Sequence, residues 1–208
     1  AGDFIYANKL ALKIQRLSKC RLVSYFTDDY IFIRHGINIF GHLRSLLIYR
    51  SIKNLILNSN SYLTISEKMQ KKYQSVFKKN SFIVQNIVDL PLKRSTKKNT
   101  DKPLEIVYAG GLHLDRISSI KILAKYLSKE NRDVTLSIYS KDSTDKQIIR
   151  NTKQFECIKL KTHVDSSQLR IILEDSDILL HVESFNKYYS SRTRYSLSTK
   201  IPEYLSYG

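Results

Sequence analysis

The segment Leu104-Glu105-Ile106-Val107-Tyr108-Ala109-Gly110-Gly111 decides the fold. It is a short apolar run rich in strand-forming residues, and it ends on a glycine pair where the chain must turn. From Ile117 to Leu127 the spacing becomes helical, with Ile117, Ile120, Leu123, Ala124 and Leu127 on one face. The alternation continues with a strand at Asp133–Tyr139, a short helix at Thr144–Arg150 and a strand at Phe155–Leu160. A helix at Ser166–Leu173 and a strand at Asp177–Val182 follow. Strands alternating with helices at this spacing predict βαβ units, hence an α/β fold with a parallel sheet.

Ahead of this region, Lys93 to Pro103 has no apolar residue until it closes on proline, and it reads as a linker. The sequence therefore divides into a first lobe at 1–92, a linker at 93–103 and a second lobe at 104–208. The first lobe shows weaker alternation. Strands are predicted at Asp3–Ala7, Arg21–Phe26 and Tyr62–Ile65, helices at Leu10–Leu17, over Ile37–Leu57 and from Ser66 onward, and Phe82–Val84 leads into Gln85–Asp89. The result is two Rossmann-like lobes.

The segment Ser198-Thr199-Lys200-Ile201-Pro202-Glu203-Tyr204-Leu205-Ser206-Tyr207-Gly208 carries the chemistry. Ser198 and Thr199 are placed to cap a helix whose first turn holds Lys200 and Glu203. A helix start offers unpaired N–H groups to phosphate, Lys200 adds a full charge, and a carboxylate such as Glu203 can accept both hydroxyls of a ribose. Taken singly, each residue has a plainer reading. Lys200 suits any surface, and Glu203 suits any first helical turn.

Composition narrows the choices. A hydrophobic content of 42% in 208 residues supports a sizeable core. Cys20 and Cys157 give neither a disulfide framework nor a zinc motif, which favours a reducing, cytoplasmic setting. The histidines His35, His42, His113, His163 and His181 fit no metal-ligand spacing, so no metal site is expected. There is no Walker A loop, no Gly-x-Ser-x-Gly elbow and no Gly-x-Gly-x-x-Gly, and no nicotinamide or other cofactor is expected. The net charge of +16 is uneven. Residues 1–102 hold 19 Lys/Arg against 6 Asp/Glu, and residues 103–208 hold 16 against 13. Without a helix-turn-helix, zinc-finger or RNP-type motif, nucleic acid is not the expected partner. An anionic membrane surface suits such a basic lobe, with Ile37–Leu57 as its contact, and a solvated basic face or a buried lobe helix is the alternative.

In this order the motifs resemble the GT-B glycosyltransferases, and among them glycosyltransferase family 4. The carrying residues are Val107-Tyr108-Ala109-Gly110-Gly111-Leu112 with Arg116 beyond, Thr64-Ile65-Ser66-Glu67, Asn86-Ile87-Val88-Asp89, and Lys200-x-x-Glu203-Tyr204-Leu205-x-x-Gly208. The resemblance implies a retaining, metal-independent, hexosyltransferase-like enzyme. It would move sugar from a UDP- or GDP-sugar to a saccharide or lipid-linked acceptor, in cell-surface polysaccharide assembly at the inner face of the membrane. It also implies roles: Glu203 for the donor ribose, Arg116 and Lys200 for the diphosphate, Gly110 and Gly111 for close backbone approach, and Ser198 and Thr199 for the helix cap and a phosphate. Asp28 or Asp29, at a first-lobe strand end with His35 beyond, would position acceptor or donor sugar, with a turn or cap role as the alternative. Measured against that family, the first lobe is expected to lack its start and the second its end.

Some positions depart from the family pattern. Eight residues before Glu203, where many members have a second glutamate, stands Tyr195. Glu183 is a candidate substitute, ahead of a polar Tyr- and Arg-rich stretch at 184–197. Two other function classes stay open: a sugar-nucleotide epimerase of the same fold, and a non-catalytic basic module for anionic lipid or nucleic acid.

Overall fold

The computed structural model describes residues 4–32, 38–88, 103–130 and 133–207. The chain forms two compact units. One comprises residues 1–86 with 191–198, and the other 87–190 with 199–208. The predicted linker, apart from Pro103, lies outside the described residues, as do His35, Asp89 and Gly208.

In the first unit, helix α1 (Phe4–Ser18) precedes strand β1 (Val23–Phe26), helix α2 (Ile39–Asn58), strand β2 (Ser61–Thr64), helix α3 (Glu67–Phe77) and strand β3 (Phe82–Ile83). The strand predicted at Asp3–Ala7 is instead the first turn of α1 from Phe4 onward. Ile5, Ala11 and Leu12 share a buried helical face, and Asn8 Nδ2 donates to Ser51 Oγ of α2. A short apolar run fits a strand as well as a helix, and packing on α2 decides it. The strands are parallel in the order β1-β2-β3. Phe26, Tyr62, Tyr73 and Phe77 form an edge-to-face aromatic core with Ile56 and Met69. Ser66 caps α3 by accepting from Met69 N, and its hydroxyl donates to the Tyr195 carbonyl at 2.6 Å. Tyr195 and Leu197 pack on this same core.

The second unit holds β4 (Leu104–Ala109), α4 (Arg116–Lys129), β5 (Val134–Tyr139), a 3-10 turn (Lys141–Thr144) and α5 (Lys146–Thr152). After these come β6 (Ile158–Lys161), α6 (Ser166–Asp175), β7 (Ile178–Leu179), α7 (Lys187–Thr193) and α8 (Lys200–Leu205). Its four described strands are parallel in the order β6-β5-β4-β7. Successive side chains of β4 point to opposite faces. Ile106 and Tyr108 join Ile120 and Ala124 of α4, while Val107 and Ala109 join Leu173 of α6 and Tyr204 of α8. Helices thus cover both faces, as the continuous apolar strands require. The strand predicted at 177–182 pairs only at Ile178 and Leu179. Beyond that pairing Tyr204 takes over: its hydroxyl accepts from Ala109 N at 3.2 Å and lies 3.4 Å from the Ala109 carbonyl. A backbone group left open where β7 diverges is thereby satisfied, and α8 is fixed against the end of β4.

Candidate functional site

From β4 the chain steps through β5 to β6 on one side and returns to β7 on the other, so the order reverses beside β4. In open α/β sheets, ligands bind outside the carboxyl ends of the strands at such a reversal. An open cavity of about 170 Å³ lies there, lined by Ala109 and Gly110 after β4, Tyr139 at the end of β5, His163 and Val164 after β6, Leu169 of α6, and Lys200, Glu203 and Tyr204 of α8.

Gly110 has φ +151°, a conformation that L side chains rarely adopt, and a Cβ there would collide with Lys200 Nζ. Lys200 therefore lies across the bare backbone of Gly110, with Nζ 4.9 Å from the centre of the Tyr108 ring. Burial pulls its pKa down from 10.5 to about 8. Arg116 repels its proton further, while Glu183 and Glu203 oppose that. Gly111 is less constrained: a Cβ would collide with the exposed ring of His113, which can move, and would touch Asp142 Oδ2 at an ordinary 3.7 Å. The Gly111 carbonyl accepts from Tyr108 Oη at 2.7 Å, and burial pushes the Tyr108 pKa up to about 12 although Arg116 works the other way.

Arg116 opens α4 after Leu114 and Asp115, which both have φ +60°. Such residues cost roughly 1–2 kcal/mol each, and cross-links hold the turn. Leu112 N donates to Asp142 Oδ2 at 2.7 Å, and Ser184 Oγ donates to Asp115 Oδ2 at 3.3 Å.

Of the sequence-predicted residues, Gly110, Lys200 and Glu203 share the cavity, and Arg116 stands near enough to act on Lys200. Ser198 and Thr199 do not line it. Thr199 has helical φ and ψ and its side chain makes no capping hydrogen bond, and Ser198 belongs to the 191–198 segment of the first unit.

Asp28 and Asp29 serve their own turn. Asp29 is fully buried, and its Oδ1 accepts from Ile31 N and Phe32 N, each at 3.2 Å, and from Tyr73 Oη at 3.4 Å. Its Oδ2 faces Arg194 Nη2 at 3.4 Å. Asp28 accepts from Tyr30 Oη at 3.0 Å and from Ser196 Oγ at 2.6 Å. Sequence reasoning missed Tyr139, His163 and Leu169, because loops after different strands meet only in the folded sheet.

No protein-family model matches the sequence, and no curated protein matches it significantly. Solved structures do match in fold. TarM superposes with a TM-score of 0.54 at 16% identity, over 77% of this chain and 31% of that one. A TarM variant from S. aureus, in complex with fondaparinux, α-GlcNAc-glycerol and UDP, gives 0.52 at 16% identity, over 76% and 31%. The lipopolysaccharide outer core galactosyltransferase WaaB, in its apo form, gives 0.51 at 13% identity, over 82% and 45%. The fold is thus the Rossmann-like α/β architecture of GT-B glycosyltransferases, and the chain spans less than half the length of each of these neighbours.

Proposed function

We propose that this chain belongs to a glycosyltransferase that moves a sugar from a nucleoside diphosphate, bound by the second unit, to a saccharide or lipid-linked acceptor on the side of the first. One observation carries the reading: Lys200 lies across the bare backbone of Gly110, with Glu203 lining the same cavity at the strand-order reversal. In this reading Glu203 accepts from the ribose hydroxyls. Lys200 and Arg116 neutralise the diphosphate as the bond to the sugar breaks, so fixed cations stabilise the charge that develops on the leaving group. That division of labour suits a retaining, metal-independent hexosyltransferase using a UDP- or GDP-sugar.

The first unit supports a membrane-side acceptor in cell-surface polysaccharide assembly. Neither α1 nor α2 contains an acidic residue, and Tyr6, Leu10, Ile14, Leu17, Phe40 and Leu43 are exposed on them. Lys9 and Arg50 flank a groove of about 420 Å³ between the two helices. At an anionic cytoplasmic leaflet each such cation contributes about 1 kcal/mol. No helix among the described residues is long and apolar enough to cross a membrane.

Calorimetric titration with UDP and GDP tests the donor site. Glu203→Ala is expected to weaken binding by roughly tenfold to a hundredfold, the scale of a lost hydrogen bond to a charged group. Equal affinity of variant and wild type, or no binding of either nucleotide, would sink the reading.

A further inference from the structure

The loop after β7 brings a carboxylate and an imidazole onto Arg116, and the donor reading gives neither a task. Glu183 Oε1 accepts from Arg116 Nη2 at 3.2 Å and from His181 Nε2 at 3.3 Å, with Oε2 3.5 Å from the same Nη2. The Arg116 side chain is only 14% exposed. Its Nε is buried with no hydrogen-bond partner among the described residues, and so is His181 Nδ1. Burial works against the charged form of Glu183, yet the hydrogen bonds from His181 and Arg116 outweigh it and hold its pKa below the ordinary carboxylate value.

The backbone of this loop does not depend on the carboxylate. Ser119 Oγ of α4 donates to the Glu183 carbonyl at 2.8 Å, and Ser184 Oγ ties the next residue to Asp115. The Glu183 side chain therefore holds the guanidinium rather than the loop. Arg116 follows the two left-handed residues of its turn. A long side chain mostly out of water, close to a second cation at Lys200, needs a counter-charge to stay in place. Partnered, it presents its remaining N–H groups in a fixed direction, which matters because guanidinium–phosphate recognition is geometric.

We propose that Glu183, steered by His181, is a positioning residue that holds the Arg116 guanidinium at the diphosphate end of the site. The inference rests on the donor reading and makes a prediction of opposite sign to charge counting. Placing a carboxylate beside a diphosphate repels it, so by charge alone Glu183→Ala would bind diphosphate more tightly. By positioning, binding weakens, because Arg116 loses its partner and its direction.

The test is calorimetry on the full chain with inorganic pyrophosphate and with UDP, thermal midpoints being recorded for every variant. Glu183→Ala is expected to lose about tenfold or more in affinity for both ligands, the scale of a mis-set charged contact. Glu183→Gln keeps an acceptor for Nη2 and is expected to recover part of that loss. It also serves as the informative variant should Glu183→Ala fold poorly. Arg116→Ala with Glu183→Ala is expected to bind no worse than Arg116→Ala alone, as two residues acting through one contact require. Unchanged or tighter binding by Glu183→Ala overturns the proposal, as does a loss that persists in full without Arg116. If the wild-type chain binds neither ligand, the nucleotide-diphosphate reading itself falls and takes this inference with it.

Discussion

Two arginine–carboxylate pairs, one in each unit, put the same side chains to different ends. In the first unit Arg194 faces Asp29, which is fully buried and saturated by two backbone N–H groups and the Tyr73 hydroxyl. In the second unit Arg116 faces Glu183, whose side chain is 35% exposed, and here a buried guanidinium N–H has no partner among the described residues. A buried carboxylate held by two backbone N–H groups of its own turn, a tyrosine hydroxyl and one arginine is part of the fold. The Arg116–Glu183 pair instead lies beside the reversal of a parallel sheet, where the proposed diphosphate would bind. The contrast shows that an acidic residue at a strand end announces nothing until its partners are counted.

Breaking the closed pair should produce the largest effect. Asp29→Ala strands two backbone donors and a buried hydroxyl, and it is expected to cost about 2–4 kcal/mol of stability in denaturant unfolding. Pyrophosphate affinity of the folded protein should stay unchanged. An unaltered unfolding midpoint would return Asp29 to the positioning of acceptor or donor sugar that the family resemblance implied.

At the open site, Gly110→Ala combines a backbone conformation that L side chains rarely adopt with a Cβ that displaces Lys200 Nζ. A stability loss of about 1–2 kcal/mol is expected, with a larger proportional loss in diphosphate binding. Should binding survive intact, Lys200 does not work from its position across Gly110.

The smallest expected effect is also the most specific. A bound diphosphate favours protonated Lys200, so pyrophosphate affinity should fall as pH rises through about 8, where the free protein loses that proton. Stability runs the other way. The folded-state pKa lies below the unfolded value of 10.5, so the unfolded chain holds the proton more tightly. The resulting destabilisation is fully present below about pH 8 and is relieved as pH rises toward 10.5. Lys200→Met is therefore expected to raise the melting temperature at pH 7 while weakening diphosphate binding and flattening its pH profile. A melting temperature that drops at pH 7 would show that burial costs Lys200 nothing.

Legibility differed between the units for a physical reason. In the second unit, strands buried on both faces are short apolar runs bounded by glycine or polar residues, and β4, α4 and β5 fall within two residues of their predicted places. In the first unit Phe4 to Ala7 has strand-like residues, but its fate was settled by Leu12 and Asn8 packing on α2. The polar stretch 184–197 gave no sign that it contains α7, or that Tyr195 and Leu197 pack into the first unit's core.

The sequence by itself determined the alternation of strands and helices, the parallel sheet it implies, the concentration of positive charge in the front half, and the Gly110, Lys200 and Glu203 constellation. These are local properties of pattern and composition. Only the tertiary structure decided that Asp29 is held by its own turn, that the Thr199 side chain makes no capping hydrogen bond, that Tyr204 locks α8 to β4, and that Glu183 meets Arg116. Those outcomes depend on which loops converge at the carboxyl ends of the strands and on which polar atoms find partners, and residues 67 to 165 positions apart cannot announce such pairings through local pattern.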